Sequence, residues 1–207
     1  SLKESFVFLA KSRYVLCIAI LVLTYNITIN LLEVTWKSQL KLLYPSKVQY
    51  LDFLGTYSTI LGIITILMML FVSSNVLRRF GWGIAAYITP VTLLVTGIGF
   101  FAFIIFQEPL TPSLITWGLS PLFIAVIFGT IQNIMSKAAK YSLFDPTKEM
   151  AYIPLDQESK VKGKAAIDTV GARIGKAGGS GIQIGLITIF GSLGAVTPYI
   201  GVIMLFI

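Results

Sequence analysis

The sequence predicts an all-α membrane protein, a polytopic bundle of six transmembrane helices. Mean hydropathy is +0.84, and 56% of the 207 residues are hydrophobic while 12% are charged. Several apolar runs are long enough for a helix of roughly 20 residues to cross a bilayer. Almost every charge lies between these runs. The exception is the segment 168–179, where Arg173 and Lys176 stand inside an apolar stretch. Cations in such positions are costly and mark functional sites.

Composition limits the chemistry that the chain can perform. Cys17 is its one cysteine, and the sequence has no histidine. It therefore offers no disulfide framework, no His-containing metal site and no His-based catalytic triad. We expect no enzyme activity, no cofactor and no metal site. The net charge of +7 is better explained by membrane orientation than by nucleic acid binding, because most cations lie at the ends of apolar runs.

The predicted elements follow the apolar runs in order. Residues 1–13 form a short amphipathic segment typical of the membrane interface, and residues 14–207 form the six-helix domain. The first helix begins near Tyr14, and its periodicity continues to Leu43, before Pro45 stops it. The next four spans are predicted at about Gly55–Val76, Trp82–Phe106, Pro121–Ala138 and Ala165–Phe190, and the sixth begins near Val196. That last run stops after twelve residues, so we expect the chain to be a piece of a longer protein.

The distribution of Lys and Arg predicts the topology. Cations cluster before span one, between spans two and three, and between spans four and five: Lys3, Lys11 and Arg13; Arg78 and Arg79; Lys137, Lys140, Lys148, Lys160, Lys162 and Lys164. The loops between spans three and four and between five and six contain neither residue type. Both chain ends are therefore predicted to be cytoplasmic. Lys37, Lys41 and Lys47 depart from this pattern, which we attribute to a first helix that projects beyond the bilayer.

Six spans with cytoplasmic ends match one half of a twelve-span transporter. The short basic turn predicted at Asn75–Gly81, between spans two and three, is similar to the arrangement in major facilitator transporters. A polar connection at Ser142–Gly163 is predicted between spans four and five, with turn signals at Asp145-Pro146 and Ile153-Pro154.

Polar residues form a stripe along span one. Asn26, Asn30, Glu33 and Lys37 follow one another at helical spacing, so they share one face. The amides could serve only to pack helices through hydrogen bonds. Glu33 favours a functional interpretation, because a carboxylate near the membrane boundary needs a cation or water.

Span five combines cations with a ridge of small residues. Arg173, Lys176 and Ser180 share a face, and Gly171, Gly175 and Gly179 recur every four residues. The glycines predict close packing of a neighbouring helix. Two cations one turn apart repel unless an anion lies near them, and the Arg fork suits phosphate oxygens. Snorkelling to the membrane surface is the alternative for Arg173.

The end of span four adds polar side chains. Asn133 and Lys137 would extend a basic funnel toward the cytoplasm, unless the lysine serves only as an orientation signal. Two enzyme motifs are excluded. The segment Gly171–Lys176 is one residue too short for a phosphate-binding P-loop. Asp168 lacks the further carboxylates that a metal-dependent enzyme acting on phosphorylated lipid heads requires.

Three segments resemble the ATP/ADP translocase family of intracellular bacteria and plastids. They are YNITI followed by NLLEVTWK at 25–37, KYSLFDPTKEMAYIPLD at 140–156, and KVKGKAAID continuing to GKAGGS at 160–180. The resemblance covers spans one, four and five and matches the C-terminal half of the family's twelve-helix, major-facilitator-like fold. It implies that an N-terminal half is missing here.

The resemblance further implies ATP/ADP exchange by alternating access without hydrolysis. The transported partners would be ATP and ADP, in the inner membrane of an intracellular bacterium or the plastid inner envelope. Charged residues facing the central cavity are implied to recognise substrate: Glu33, Lys37, Arg173 and Lys176, with Asn26, Asn30, Asn133, Lys137 and Ser180 added by position. Glu33 is expected to balance Arg173 and Lys176 when the site is empty. A gating loop is implied at Asp145, Lys148 and Glu149. Proton-coupled nucleotide uptake and a purely structural membrane protein are the alternatives.

Overall fold

A computed structural model describes residues 12–116 and 118–206 and confirms an all-α membrane helical bundle. Within those residues the chain forms helices and no strand. Most of the predicted interfacial segment, residues 1–11, lies outside the described residues.

Helix α1 spans Arg13–Leu43. It begins where the Ser12 side chain accepts a hydrogen bond from the Val15 N–H, which satisfies a backbone donor that has no partner within the helix. It ends at Tyr44, one residue before Pro45. The predicted extension of this helix to Leu43 is confirmed. At about 1.5 Å per residue, its 31 residues exceed the hydrocarbon thickness of a bilayer.

The second and third predicted spans lie in one helical stretch, Lys47–Ile105, which is kinked at Gly81. Helix α2 spans Lys47–Leu67, a π-helical segment covers Met68–Ser73, and helix α3 spans Ser74–Ile105. The stretch breaks at Gly81, whose φ of 78° and ψ of 176° are not helical. The turn predicted at Asn75–Gly81 is therefore confirmed only at its last residue, since residues up to Phe80 are helical and two helices meet across a kink at Gly81. With 59 residues, the stretch is long enough to cross a bilayer twice.

A short helix, α4, spans Gln107–Thr116 and was not predicted. Helix α5 follows at Pro121–Ala139, close to the predicted fourth span. Its first turn is stabilised by the Ser120 side chain, which accepts from the Phe123 N–H, and by a proline in the first turn.

The segment expected to be a gating loop is helical instead. A π-helical segment at Lys140–Phe144 continues α5 directly into helix α6, which spans Asp145–Ala151. Pro146 lies directly after the π-helical segment, within the helical stretch Pro121–Ala151. The turn signal at Asp145-Pro146 therefore lies inside a helix, and the polar connection begins only after Ala151.

Three further helices and one π-helical segment complete the described chain. Helix α7 spans Gln157–Ala165 and is capped by Asp156. A π-helical segment at Ala166–Gly171 leads into helix α8, Ala172–Phe190, and helix α9 spans Leu193–Phe206.

Three stretches in the described residues are long and apolar enough to cross a membrane: Arg13–Leu43, Lys47–Ile105 and Pro121–Ala151. Helix α8, which includes Arg173, Lys176 and Gln183, is not among them. The count of six spans stays a prediction.

Helix α1 lies between α8 and α5 and packs against both. Helix α3 closes the bundle by packing on α5 and α9. Trp36 of α1 is fully buried against α5, where its indole Nε1 donates to the Thr130 hydroxyl over 3.1 Å. A Cβ atom on Gly129 would lie 2.4 Å from Trp36 Cδ1, so glycine is needed for this contact between α1 and α5.

Candidate functional site

The polar stripe of α1 consists of Asn26, Asn30, Glu33 and Lys37. Its side chains contact α5 through Glu33 and α8 through Asn30. Asn26 is buried, and its Nδ2 donates to the Val22 carbonyl over 2.7 Å. Asn30, Glu33 and Lys37 are partly exposed. The structure therefore confirms the predicted shared face and leaves its later members accessible.

Two glycines bring α8 into close contact with this stripe. A Cβ on Gly175 would lie 2.7 Å from Asn26 Cβ, and one on Gly179 would lie 2.8 Å from Asn30 Oδ1. Both distances are shorter than real side chains tolerate, so glycine sets the distance between the helices. Gly171 has open space around its Cβ position. The predicted packing ridge is thus formed by two of its three glycines.

Hydrogen bonds join the same two helices. The Ser180 Oγ donates to Asn30 Oδ1 over 3.4 Å, and the Gln183 Nε2 donates to the Leu31 carbonyl over 3.3 Å. These bonds place the Ser180 flank of α8 beside the polar stripe of α1.

Arg173 and Lys176 lie on that flank. They precede Ser180 by seven and four residues, which places all three on one side of the helix. Both cations are exposed, and neither has an ion-pair or hydrogen-bond partner in the described part of the chain. The structure therefore sets two uncompensated positive charges along the edge of the stripe.

Glu33 is paired within the stripe and with α5. Its Oε1 lies 2.7 Å from Lys37 Nζ, and its Oε2 lies 3.0 Å from Lys137 Nζ. The expected balance between Glu33 and the two cations of α8 is not what the structure has. The reason is proximity: α5 carries Lys137 directly to the carboxylate, whereas α8 meets the stripe one turn away, at Asn30.

Tyr57 of α2 joins this cluster and was not predicted. Lys137 Nζ lies 5.7 Å from the centre of its ring, within the range of a cation–π contact. The ring also contacts Trp36, with centroids 4.8 Å apart. One tyrosine in a long apolar run carries no signal of its own in the sequence, so only the packing of α2 on α5 identifies it.

Asn133, one turn before Lys137 in α5, is more deeply buried than Lys137. It is fully buried, and its Nδ2 donates to the Gly129 carbonyl over 2.9 Å. Its Oδ1 is buried without a hydrogen-bond partner among the described residues. A buried, unpaired acceptor of this kind is a ready position for a water molecule or a ligand donor.

The residues of α6 form a second group of charges. Asp145 pairs with Lys140 at 2.9 Å, and Lys148 Nζ lies 2.7 Å from an oxygen of Asp168, in the π-helical segment before α8. Their charges are thus compensated by neighbouring segments.

Glu149 forms a third pair, 2.6 Å from Lys164 of α7. The hydrogen bond to Glu149 raises the pKa of Lys164 above its ordinary value. Helix α6 is therefore joined by ion pairs to both segments that lead into α8. Among the described residues, no group of three or more Cys, Asp or Glu side chains is placed to hold a metal ion.

Comparison with known proteins gives consistent matches along the whole chain. The family model for the TLC ATP/ADP transporter matches residues 1–207. The chain is 58% identical to ADP,ATP carrier protein 1 of Chlamydia pneumoniae over 207 residues, which cover all of this chain and 40% of that carrier. It is 54% identical to the plastidic ATP/ADP-transporter of Solanum tuberosum over 204 residues, covering 99% of this chain and 32% of that transporter.

A third relative is ADP,ATP carrier protein 1 of Rickettsia bellii, 48% identical over 202 residues, which cover 96% of this chain and 40% of that carrier. The chain thus spans between 32% and 40% of the length of these relatives. No solved structure matches it. Because the family model matches from the first residue to the last, and so includes the polar stripe of α1 and the cations of α8, this chain belongs to the TLC ATP/ADP transporter family.

Proposed function

We propose that this chain is the C-terminal, six-span half of a nucleotide carrier that exchanges ATP for ADP across a membrane by alternating access, without hydrolysis. The observation that carries the proposal is the pair of exposed cations, Arg173 and Lys176, beside the polar stripe of α1. Two unpaired positive charges on one flank of a membrane helix are unfavourable unless an anion reaches them. A nucleotide polyphosphate is such an anion.

The two cations would bind phosphate in different ways. The planar guanidinium of Arg173 can donate two parallel hydrogen bonds to a phosphate group, while the Lys176 ammonium acts as a compact point charge one turn away. ATP carries one more phosphate than ADP, so the interaction of this pair with substrate depends on which nucleotide is bound. That difference gives the carrier a means of coupling charge to exchange.

The polar stripe would complete the site. Asn30 and Ser180 lie beside the cations and offer neutral hydrogen-bonding groups to the nucleotide. Lys137 is held by Glu33 in the structure, so an incoming phosphate would compete with that carboxylate for the ammonium group. Asn26 and Asn133 are buried and would support this wall from behind, and Lys37 would keep Glu33 in place.

The remaining part of the carrier would supply the opposite wall of the cavity. Helix α6, with Asp145, Lys148 and Glu149, would act as a gate, because its ion pairs join it to the segments leading into α8. The family relatives support a membrane of an intracellular bacterium or of a plastid, and the inner membrane or the inner envelope is our proposal for it. Both ends of this chain would face the cytoplasm in the bacterial case.

Uptake of labelled ATP into liposomes preloaded with ADP tests the proposal, with the full-length carrier as the protein. Arg173→Gln and Lys176→Gln should each raise the KM for ATP about tenfold, the effect of one lost charge-assisted hydrogen bond. Lys47→Gln is the matched control, since Lys47 is exposed at the start of α2 and away from the stripe. Normal KM and rate in both α8 variants would remove these residues from the substrate site.

The same liposomes separate exchange from proton-coupled uptake. Exchange requires nucleotide inside the vesicle and does not require a pH gradient. Uptake into empty vesicles that follows an imposed pH gradient would replace the exchange proposal with the proton-coupled one.

A further inference from the structure

An apolar groove runs along the bundle between α1, α3 and α9. One cavity of about 540 Å³ is lined by residues of all three helices, including Thr24, Pro90 and Met204. A second cavity of about 190 Å³ continues it toward Trp82. Three residues line both cavities: Cys17, Leu21 and Phe144. The two cavities therefore form one elongated groove.

One end of the groove has the character of a membrane interface. The Tyr14 hydroxyl donates to the Ala151 carbonyl over 2.7 Å, and the Trp82 indole donates to the Thr147 carbonyl over 2.8 Å. Both aromatic side chains line the groove. Tyr and Trp with one apolar face and one bonded polar group are typical of the headgroup level of a bilayer.

Three arginines lie close in sequence to the residues at this end. Arg13 directly precedes Tyr14, and Arg78 and Arg79 precede Trp82 by four and three residues. All three arginines are exposed, and in the described part of the chain none of them pairs with a carboxylate. Lys148 also lines the groove, but its charge is taken up by Asp168.

The groove lies on the side of α1 opposite the polar stripe. Thr24 and Thr28 line it, and at about 100° per residue they point roughly half a turn away from Asn26. If the stripe faces the transport path, the groove faces lipid; this step alone rests on the proposed function. The apolar lining of the cavities and the positions of the arginines in the chain do not depend on the proposed function.

We propose that this groove is a binding site for an anionic phospholipid. One acyl chain lies along the groove toward Met204, and the phosphate lies at the end that carries Arg13, Arg78 and Arg79. The elongated shape and apolar lining of the groove fit a hydrocarbon chain, and the three arginines fit a negative headgroup. The end concerned is predicted to face the cytoplasm, whose leaflet carries the anionic lipids.

Native mass spectrometry of the detergent-purified, full-length carrier tests this site by titration with phosphatidylglycerol or phosphatidylcholine of equal chain length. Each arginine near a membrane surface contributes roughly fivefold in affinity, so the double variant Arg78→Gln, Arg79→Gln should bind phosphatidylglycerol about 25-fold more weakly. Phosphatidylcholine binding should change little. The control is Lys41→Gln, Lys47→Gln, which removes two cations that are exposed and are not among the residues lining the groove.

A second variant tests the acyl chain. Ala86 lines the groove, so Ala86→Phe should fill it and reduce binding of both lipids, whereas Ile66→Phe, at an exposed position on α2, should not. If Lys41→Gln, Lys47→Gln weakens phosphatidylglycerol binding as much as the arginine variant does, the lipid is attracted by the net positive charge and the proposed site is wrong. Competition by soluble glycerol phosphate would overturn it in favour of a free anion site, and a dimer that binds no lipid would overturn it in favour of a protein interface. Exchange activity is not part of this readout, so failure here is distinct from failure of the proposed function.

Discussion

The Lys137 ammonium of α5 lies 3.0 Å from the Glu33 carboxylate of α1. The two side chains are 19% and 26% exposed, so neither charge is fully solvated. Lys37 shares the same carboxylate from within α1. The pair joins α5 to the polar stripe of α1, and it leaves the charge of Lys137 compensated.

We predict that Glu33 and Lys137 are energetically coupled. A double-mutant cycle with Glu33→Gln and Lys137→Gln should give a coupling free energy of about 1–2 kcal/mol, because Glu33→Gln leaves the partly buried Lys137 ammonium without a carboxylate partner. Thermal unfolding of the full-length carrier in detergent measures it. The Lys37 side chain is 42% exposed, so the cycle between Glu33 and Lys37 should give less than about 0.5 kcal/mol. Additive effects of Glu33→Gln and Lys137→Gln would contradict the coupling.

The glycines of α8 give a second prediction. Gly175→Ala should destabilise the carrier by about 1–3 kcal/mol, because its Cβ would lie 2.9 Å from the Leu23 carbonyl oxygen, a backbone atom that cannot rotate away. Gly178→Ala is the matched control, since its nearest neighbour, Ile27, would be at an ordinary contact distance of 3.8 Å. The melting temperatures of the two variants should differ by several degrees. Equal melting temperatures would show that α1 and α8 are not this close.

The ion pairs of α6 should differ in strength. The side chains of Lys148 and Asp168 are 13% and 31% exposed, whereas those of Lys164 and Glu149 are 47% and 46% exposed. Exposed pairs contribute little because water and salt screen them. Asp168→Asn should therefore lower the free energy of unfolding by about 1–2 kcal/mol, and Glu149→Gln by less than about 0.5 kcal/mol.

The exchanged variant Lys148→Asp, Asp168→Lys controls for the first of these pairs. It should recover part of the lost stability, since it restores opposite charges at the same two positions. No recovery would assign the effect of Asp168→Asn to packing instead of charge.

A buried tyrosine provides a pH-dependent prediction. Tyr152 is fully buried, its hydroxyl has no hydrogen-bond partner among the described residues, and burial raises its pKa. The pKa of Tyr152 is higher in the folded state than in the unfolded state, where it is about 10. Its contribution to the free energy of unfolding is therefore complete below a pH of about 10 and is lost as the pH rises above that value. Tyr152→Phe should therefore be neutral or stabilising at pH 7 and should reduce the loss of stability above pH of about 10.

Tyr14→Phe is the matched control. The Tyr14 hydroxyl donates to the Ala151 carbonyl, so its removal should cost about 1 kcal/mol at pH 7. Melting temperatures measured between pH 7 and pH 11 test both variants. A strongly destabilising Tyr152→Phe would mean that the buried hydroxyl has a partner.

Much of the helical content was predictable from hydropathy and terminator residues. The first helix ends before Pro45, and α5 begins at Pro121, as the sequence predicts. The less accurate predictions come from residues that are compatible with both a turn and a helix. Pro146 is compatible with a turn and with a helix, and the helix is what forms. The turn predicted at Asn75–Gly81 forms at Gly81 alone, because the basic residues before it extend the preceding helix.

The candidate site likewise has some features that the sequence predicts and others that only the structure shows. Helical spacing alone places Asn26, Asn30, Glu33 and Lys37 on one face, because the positions of side chains around a helix depend only on local geometry. The sequence by itself likewise determined that the chain crosses membranes and that Arg173 and Lys176 stand on one flank of a helix. Only the tertiary structure decided that Glu33 pairs with Lys137, that Tyr57 lies beside them, and that Ser180 meets Asn30. These contacts join residues far apart in the chain, and they depend on how closely and at what depth the helices pack, which no local pattern specifies.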